Sequence, residues 1–267
     1  MYDLIIRGGT VIDGSGEPGF RADVAVTDGR IAAVGHLAEA EAVETVDAAD
    51  RIVCPGFVDP HTHYDAQLFW DPHATPSSLH GVTSAVMGNC GFSLAPLVPE
   101  DADYLRRMLA KVEGMPLPAL EAGLPWDWHG FGDYLARLDG RLGLNAGFQV
   151  GHCALRRAVM GARAVGEAAT PEDLDAMLAL LHESLDAGGL GFSTSLSFTR
   201  TDGDGQPVPS RWADPEEVLA LCRALRDHEG TCLEFIVDGC LKGFTDEEIE
   251  LVTEMSLAAG RPANWNV

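Results

Sequence analysis

Three side chains of this sequence could act together. They are two histidines with one residue between them and a cysteine in a turn between glycines. His61 and His63 lie at the end of a predicted strand over residues 56–61, and Cys90 stands in Gly88-Asn89-Cys90-Gly91 directly after the next predicted strand. Alternate side chains of a strand share one face, so both imidazoles are expected to point the same way. Imidazole nitrogen and thiolate sulfur are preferred zinc ligands. The pattern predicts a metal site; metal-free histidines at a strand end and a cysteine that fills the core are the alternatives.

The elements that must position these residues alternate between apolar strands and helices. Helices are expected to begin at Thr170-Pro171, Asp214-Pro215 and Thr245-Asp246, where a capping residue is followed by proline or acidic residues. The predicted strands cover residues 56–61, 82–87, 144–150, 190–193, 231–235 and 262–267. This alternation is typical of a parallel sheet, and it predicts an α/β fold with about six of the eight strands of a TIM-like (β/α) barrel.

The first part of the chain has a different pattern. Residues 1–53 contain short strands joined by Asp-Gly turns, which predict a small all-β module, a β-sandwich, ahead of an incomplete barrel over residues 54–267. Residues 114–128, rich in proline, are expected to form a long irregular connection. Because a closed barrel needs eight strands, we expect the chain to be a truncated part of a longer enzyme.

Charge and composition narrow the choice of partners. The 267 residues include 18 Lys and Arg against 41 Asp and Glu, a formal net charge of −23, which disfavours nucleic acid and anionic membranes as partners. The chain start lacks the pattern of a signal peptide, so a cytoplasmic location is expected, with the six cysteines as reduced thiols. A small-molecule partner is the remaining expectation, and composition says nothing of the oligomeric state.

Residues 55–97 carry a resemblance to a known family. The segments His61-Thr62-His63, Gly81-Val82-Thr83 and 88–97 (GNCGFSLAPL) resemble the D-aminoacylase, or N-acyl-D-amino-acid deacylase, branch of the amidohydrolase superfamily. In that branch a cysteine replaces the carboxylated lysine that bridges two metals in most relatives. The resemblance therefore implies that His61, His63 and Cys90 are ligands of one or two zinc ions.

Further site residues are implied by the same resemblance. His152, in Gly151-His152-Cys153, would be catalytic, by stabilising an oxyanion, orienting a ligand or contacting the substrate; a hydrogen-bonded structural histidine is the alternative. Ser193 and Ser195 would lie near the substrate, although hydroxyl residues at a strand end can also cap a turn. A cationic pocket for the substrate carboxylate is expected, with Arg156 and Arg200 as candidates that the sequence does not rank.

Two positions depart from the family pattern. Members carry histidine ligands at the ends of the fifth and sixth strands, where this sequence has Glu234 and the Asn264-Trp265-Asn266 run. Glu234 could substitute as an oxygen ligand, whereas Asn266 is a poor one. The family's catalytic aspartate on the eighth strand is expected beyond residue 267, so the chain as given is expected to lack turnover.

The implied activity is zinc-dependent hydrolysis of a non-peptide C–N amide bond, releasing a carboxylate and a D-amino acid from an N-acyl-D-amino acid. A cyclic-amide hydrolase related to dihydroorotase or hydantoinase is one alternative, which Cys90 disfavours because those enzymes usually present a carboxylated lysine. The other alternative is a non-catalytic scaffold with the amidohydrolase fold, which Glu234 and Asn266 favour.

Overall fold

A computed structural model describes residues 1–75 and 77–265 of the chain. These residues divide into two compact units, Met1–Phe57 and Val58–Val267. The expected boundary, between residues 53 and 54, lies close to this division.

The first unit contains one mixed sheet. Its strands are β1 (Tyr2–Val11), β2 (Phe20–Thr27), β3 (Arg30–Gly35), β4 (Ala42–Asp47) and β5 (Ile52–Val53). They are ordered β3-β2-β1-β4, with β5 also paired to β1, so the described strands form a single layer where a sandwich was expected. The β2–β3 hairpin turns at Asp28 and Gly29, both with positive φ (52° and 68°), as the Asp-Gly pair predicts.

The second unit is built on a curled parallel sheet of six strands. In chain order they are β6 (Phe57–Asp59), β7 (Val82–Met87), β8 (Asn145–Gly151), β9 (Gly191–Ser195), β10 (Cys232–Ile236) and β11 (Ala263–Trp265). Each strand neighbours the next in sequence, so the prediction of six parallel strands of a (β/α) barrel is confirmed. The carboxyl ends of all six strands consequently meet at one rim.

Helices follow the strands of the second unit. They are α1 (Ala102–Val112), α2 (Leu117–Gly123), α3 (Phe131–Leu138), α4 (His152–Met160), α5 (Pro171–Asp186), α6 (Pro215–Ala224), α7 (Gly239–Lys242) and α8 (Asp246–Ala259). Single 3-10 turns occupy Gln67–Phe69, Ser77–His80, Pro99–Asp101, Gly161–Ala164, Pro209–Trp212 and Leu225–Asp227. No helix in the described part of the chain is both long and apolar enough to cross a bilayer.

All three predicted helix starts are confirmed. Thr170 Oγ1 accepts from Asp173 N at 3.2 Å at the start of α5, and Thr245 Oγ1 accepts from Glu248 N at 3.2 Å at the start of α8. Asp214 Oδ1 accepts from Glu217 N at 2.8 Å at the start of α6. These caps satisfy amide groups that have no partner within the helix.

The expectation of an irregular connection over residues 114–128 is wrong in part, because α2 lies within it. Pro118 occupies the first turn of α2, where a missing N–H costs nothing. The segment after it is ordered by indole donors: Trp126 Nε1 donates to Leu120 O at 2.9 Å, and Trp128 Nε1 donates to Leu94 O at 2.8 Å. The cluster of prolines concealed a short helix with proline at its start.

Candidate metal centre

The histidine pair follows β6 and is fixed to the neighbouring strand through the residue between the two rings. Thr62 donates to Val86 O of β7 with both its backbone N, at 2.9 Å, and its Oγ1, at 2.8 Å. The ring centroids of His61 and His63 lie 5.3 Å apart with the planes at 75°.

Cys90 lies in a tight turn at the end of β7 that three further strands hold. Its φ is +55°, in the left-handed region that side chains rarely adopt, and Gly88 and Gly91 on either side have φ of +72° and +75°. A Cβ on Gly88 would lie 2.1 Å from Gln149 O of β8, so only glycine fits there. The turn thus packs tightly against β8. The glycines seen in the sequence are required because a Cβ would be too close to neighbouring atoms and because their φ is positive.

Asn89 connects this turn to the histidine segment. Its Nδ2 donates to Thr62 O at 3.0 Å and to Val86 O at 2.9 Å, and its Oδ1 accepts from Gln149 Nε2 at 2.7 Å. Asn89 is fully buried, so these bonds are formed away from water. They fix the position of Cys90 relative to the preceding histidines.

The three predicted metal-binding residues come together at the strand rim. Donor atoms of His61, His63 and Cys90 all lie within 4.8 Å of one another. Cys90 Sγ is 3.3 Å from His61 Nε2, and Nδ1 of both imidazoles is buried without a hydrogen-bond partner among the described residues. A buried nitrogen without a partner is costly unless another group occupies it, and two imidazoles with one thiol are a zinc donor set. The arrangement fits a divalent metal ion.

Glu234 reaches the same group from β10. Its Oε2 accepts from Cys90 N at 2.6 Å, and its Oε1 lies 3.6 Å from His61 Nδ1 and 4.0 Å from Cys90 Sγ. The residue is fully buried. One carboxylate oxygen therefore holds the cysteine turn while the other faces the donor atoms.

Burial sets the protonation states of these groups. It lowers the pKa of both imidazoles, that of His63 to about 3, so both rings are neutral at pH 7 and able to ligate. Burial raises the pKa of Glu234 to about 8. It also raises the pKa of the Cys90 thiol, an effect that the charge of Glu234 increases. Binding of a cation would favour the thiolate and the carboxylate over their protonated forms.

His152 lies in a separate buried network. Its Nδ1 is 2.8 Å from Thr194 Oγ1 and its Nε2 is 2.8 Å from Glu217 Oε1, so both ring nitrogens have partners. Arg156 Nη1 donates to the same Glu217 oxygen at 2.6 Å, and Arg156 Nη2 donates to Glu167 O at 2.6 Å. Within the described residues, the hydrogen bonds of the His152 ring include none to His61, His63 or Cys90. The structure thus places His152 and Arg156 in one ion-pair network and does not join them to the metal group.

The two serines of β9 have different surroundings. Ser193 Oγ accepts from Gly91 N at 3.0 Å and donates to Gly88 O, so it braces the turn that carries Cys90. Ser195 Oγ is buried and has no hydrogen-bond partner among the described residues. The Ser193 hydroxyl therefore already forms its hydrogen bonds within the protein. The Ser195 hydroxyl, in contrast, is available to form a hydrogen bond.

Arg200 provides a positive charge beside the metal group. Its charge lowers the pKa of His61, His63, Cys90, Glu113 and Glu234. Its Nε is buried without a partner, and no carboxylate of the described residues lies within 4.0 Å of its guanidinium nitrogens. Arg200 is therefore a cation without an ion-pair partner in the described residues, in contrast to Arg156.

Sequence reasoning did not identify Glu113, whose Oε2 lies 3.6 Å from His63 Nε2. This residue follows α1, 50 positions after His63, and no spacing or motif marks it. Asn266, the expected departure at the sixth strand, lies outside the described residues.

Comparison with known proteins gives independent information. The model of a family described as the amidohydrolase family matches residues 44–266. The D-aminoacylase of Alcaligenes xylosoxydans xylosoxydans is 39% identical over 230 residues, which are 86% of this chain and 43% of that protein. A crystal structure of D-aminoacylase covers 99% of this chain and 51% of its own, with a TM-score of 0.79 and 35% identity.

A second solved structure is similar over the same extent. It is N-acyl-D-glutamate deacylase from Bordetella bronchiseptica, complexed with zinc and a phosphonate inhibitor that mimics the tetrahedral intermediate of the reaction. It has a TM-score of 0.77 and 31% identity, and the match covers 98% of this chain and 50% of that one. The chain spans about half the length of the relatives that it matches.

Proposed function

The chain belongs to the amidohydrolase family, and from that membership we propose that it serves the zinc-dependent hydrolysis of N-acyl-D-amino acids to a carboxylate and a D-amino acid. The observation that carries the proposal is the convergence of the donor atoms of His61, His63 and Cys90, all within 4.8 Å of one another. The relatives named as D-aminoacylase and N-acyl-D-glutamate deacylase support the substrate class.

Zinc held by His61, His63 and Cys90 would polarise the amide carbonyl and lower the pKa of the attacking water. The chain supplies the surroundings that this chemistry needs. Glu234, with its pKa raised to about 8, can carry a proton near neutral pH, and its Oε1 faces the donor atoms as a proposed oxygen ligand. Asn89 and Ser193 hold the turn that carries Cys90 through buried hydrogen bonds.

The substrate carboxylate needs a cation, and Arg200 is the better of the two expected candidates. The Arg156 guanidinium is bound to Glu217 in a fully buried pair, so using it for substrate would leave that glutamate without its partner. Arg200 lies close enough to the metal group to act on five ionisable residues and forms no ion pair there among the described side chains. We assign recognition of the carboxylate to Arg200, with the free Ser195 hydroxyl as a candidate hydrogen-bond donor.

His152 is proposed to stabilise the site indirectly. With both ring nitrogens bonded, it can neither accept nor release a proton without breaking the contact to Thr194 or Glu217. Its hydrogen bond to Thr194 instead links α4 to β9, the strand that also carries Ser193 and Ser195.

The proposal is tested by metal content and ligand binding of the chain, and by hydrolysis in a protein that also carries the aspartate expected beyond residue 267. We expect about one zinc per chain, with loss of zinc in Cys90→Ser and on chelation. A phosphonate analogue of N-acetyl-D-methionine should bind the zinc-loaded chain at least about tenfold more tightly than its L-isomer, and the protein that carries the aspartate should hydrolyse N-acetyl-D-methionine in preference to N-acetyl-L-methionine.

Two results would overturn the proposal. Zinc well below one per chain, unchanged by Cys90→Ser, would identify a non-catalytic scaffold. Zinc binding combined with hydrolysis of dihydroorotate or a hydantoin, and with neither binding nor hydrolysis of the D-methionine compounds, would identify a cyclic-amide hydrolase.

A further inference from the structure

Glu113 presents a carboxylate to the second histidine of the metal centre. Its Oε2 lies 3.6 Å from His63 Nε2, while His63 Nδ1 is buried and has no hydrogen-bond partner among the described residues. The side chain of Glu113 is 14% exposed and that of His63 is 18% exposed, so the contact is largely shielded from water.

The second oxygen of the Glu113 carboxylate has no partner of its own. Glu113 Oε1 is buried and without a hydrogen-bond partner in the described residues. An unpaired buried carboxylate is expensive, so it is retained only where a positive group can face it.

The same arrangement occurs at the other histidine. Glu234 Oε1 lies 3.6 Å from His61 Nδ1, while His61 Nε2 faces Cys90 Sγ at 3.3 Å. Each imidazole therefore has one nitrogen 3.6 Å from a carboxylate oxygen. Imidazole ligands usually donate their second N–H to a carboxylate or carbonyl, which fixes the ring orientation and strengthens the ligand.

Charge balance also favours two carboxylates here. A divalent cation with the Cys90 thiolate and two neutral imidazoles would carry a net charge of about +1 in a buried site. Arg200 adds a further positive charge. The negative charges of Glu113 and Glu234 together neutralise the charge of the metal group and that of Arg200. With Glu234 alone, the site would retain one uncompensated positive charge.

The fold holds Glu113 in place through α1. Glu113 N donates to Leu109 O at 2.9 Å, and Leu105, Met108 and Leu109 of α1 are buried in the core. The middle of α1 is tied to the loop that follows Arg200, because Arg107 Nη1 donates to Asp204 Oδ1 at 2.7 Å. The helix thus fixes the carboxylate on the rim beside the Arg200 loop.

We propose that Glu113 is a positioning residue of the metal centre, which accepts a hydrogen bond from the ring of His63 and holds that ring in its ligating orientation. This inference rests on the proposed metal site and adds to it a carboxylate supplied from outside the strands. Glu113 acts through His63 and is not itself assigned a contact with substrate.

The test is a zinc affinity measured by competition with a chromophoric chelator. Glu113→Gln should weaken zinc binding by about 10- to 100-fold. Glu113→Asp keeps the charge on a shorter side chain, and its zinc affinity should lie between those of the wild type and Glu113→Gln. Glu121→Gln, at an exposed position in α2, removes the same charge nearby and should leave zinc affinity unchanged. The cobalt-substituted protein should keep its thiolate-to-metal absorption band in Glu113→Gln, because Cys90 still binds.

A double-mutant cycle separates this inference from the proposed function. In the His63→Ala background, Glu113→Gln should cause no further loss of zinc affinity, because the residue through which Glu113 acts is gone. Wild-type affinity in both Glu113 variants, with His63→Ala strongly weakened, would overturn the role of Glu113 and leave the metal site standing. Unchanged affinity in His63→Ala itself would overturn the metal site.

Discussion

Cys90 combines three unusual properties: it is buried, it has positive φ, and its thiol is 3.3 Å from an imidazole. A side chain in the left-handed region costs on the order of 1 kcal/mol or more, and such strain persists where surrounding contacts fix it. Those contacts are the hydrogen bond from Cys90 N to Glu234 and the brace from Ser193. With this backbone conformation the Cys90 sulfur lies 3.3 Å from His61 Nε2.

Arg200 allows a direct test of substrate recognition. In Arg200→Met the apolar stem is kept and the charge is lost, so the zinc-loaded protein should bind the phosphonate analogue of N-acetyl-D-methionine about 10- to 100-fold more weakly, the loss of one charge-assisted hydrogen bond. Titration calorimetry measures the effect. Arg223→Met, at an exposed position that pairs with Glu216, serves as the control and should match the wild type. Equal affinity in both variants would remove Arg200 from the carboxylate site.

The His152 network predicts a stability effect that depends on burial. Glu217→Gln removes the negative partner of Arg156, a guanidinium with no solvent exposure, and should lower the free energy of unfolding by about 3 kcal/mol. The neighbouring Glu216 has a 69% exposed side chain paired with Arg223, so Glu216→Gln should change the free energy by less than about 0.5 kcal/mol. Urea unfolding of both variants gives the comparison, and equal values would mean that the buried ion pair contributes nothing.

At the scale of elements, the site depends on the ends of strands and on the turns that follow them. The histidines follow β6, the cysteine follows β7, Glu234 lies within β10, and the parallel order brings these ends to one rim. The caps at Thr170, Asp214 and Thr245 define where the covering helices begin, and each uses a pattern that is local in sequence.

Gly88, in the turn after β7, and Gly140, between α3 and β8, have similar φ but are expected to differ in the cost of substitution. In Gly88→Ala the new Cβ would lie 2.1 Å from Gln149 O, so the turn must shift; we expect a loss of unfolding free energy above about 2 kcal/mol together with weaker zinc binding. Gly140 has φ of +69° with open space around it, so Gly140→Ala should cost only about 1 kcal/mol and leave zinc binding intact. Thermal unfolding with and without zinc measures both. Equal losses in the two variants would contradict the role of the contact with β8.

For the whole molecule, the thiols provide a test of burial. All six cysteines are free; Cys54 is exposed, Cys232 is half-buried and the other four are buried. A thiol reagent such as Ellman's reagent should therefore react rapidly with one thiol of the native protein and with six after denaturation. Cys54→Ser should abolish the rapid phase. A rapid phase of two or more thiols would show that the described core opens readily.

Net charge is also a property of the whole molecule, but it does not define the site. The charge of −23 predicts solubility and repulsion of polyanions, yet Arg200, which has no ion-pair partner among the described residues, places a positive charge beside the metal group. This one cation near the site, and not the total charge, is proposed to attract an anionic substrate.

By itself, the sequence determined the features that depend on neighbours along the chain. His-x-His after a strand, a cysteine between glycines, Asp-Gly turns and capped helix starts are local patterns, and each predicts local geometry because it acts over a few residues. They were sufficient for the family, the six parallel strands and the three metal-binding candidates. They also misled twice: prolines at residues 116 and 118 were interpreted as a loop although α2 begins there, and the short strands of residues 1–53 were interpreted as a sandwich although the described strands form one sheet.

Only the tertiary structure decided which distant side chains join the site. Glu234 bonds Cys90 across 144 positions, Glu113 meets His63 from the end of a helix, and Arg156 is withdrawn into a pair with Glu217 while Arg200 is left unpaired among the described residues. A lone carboxylate or guanidinium has no periodicity or spacing that marks its partner. Its role is set by burial and by the packing of elements far apart in sequence, because a buried charge must find an opposite charge wherever the fold brings one.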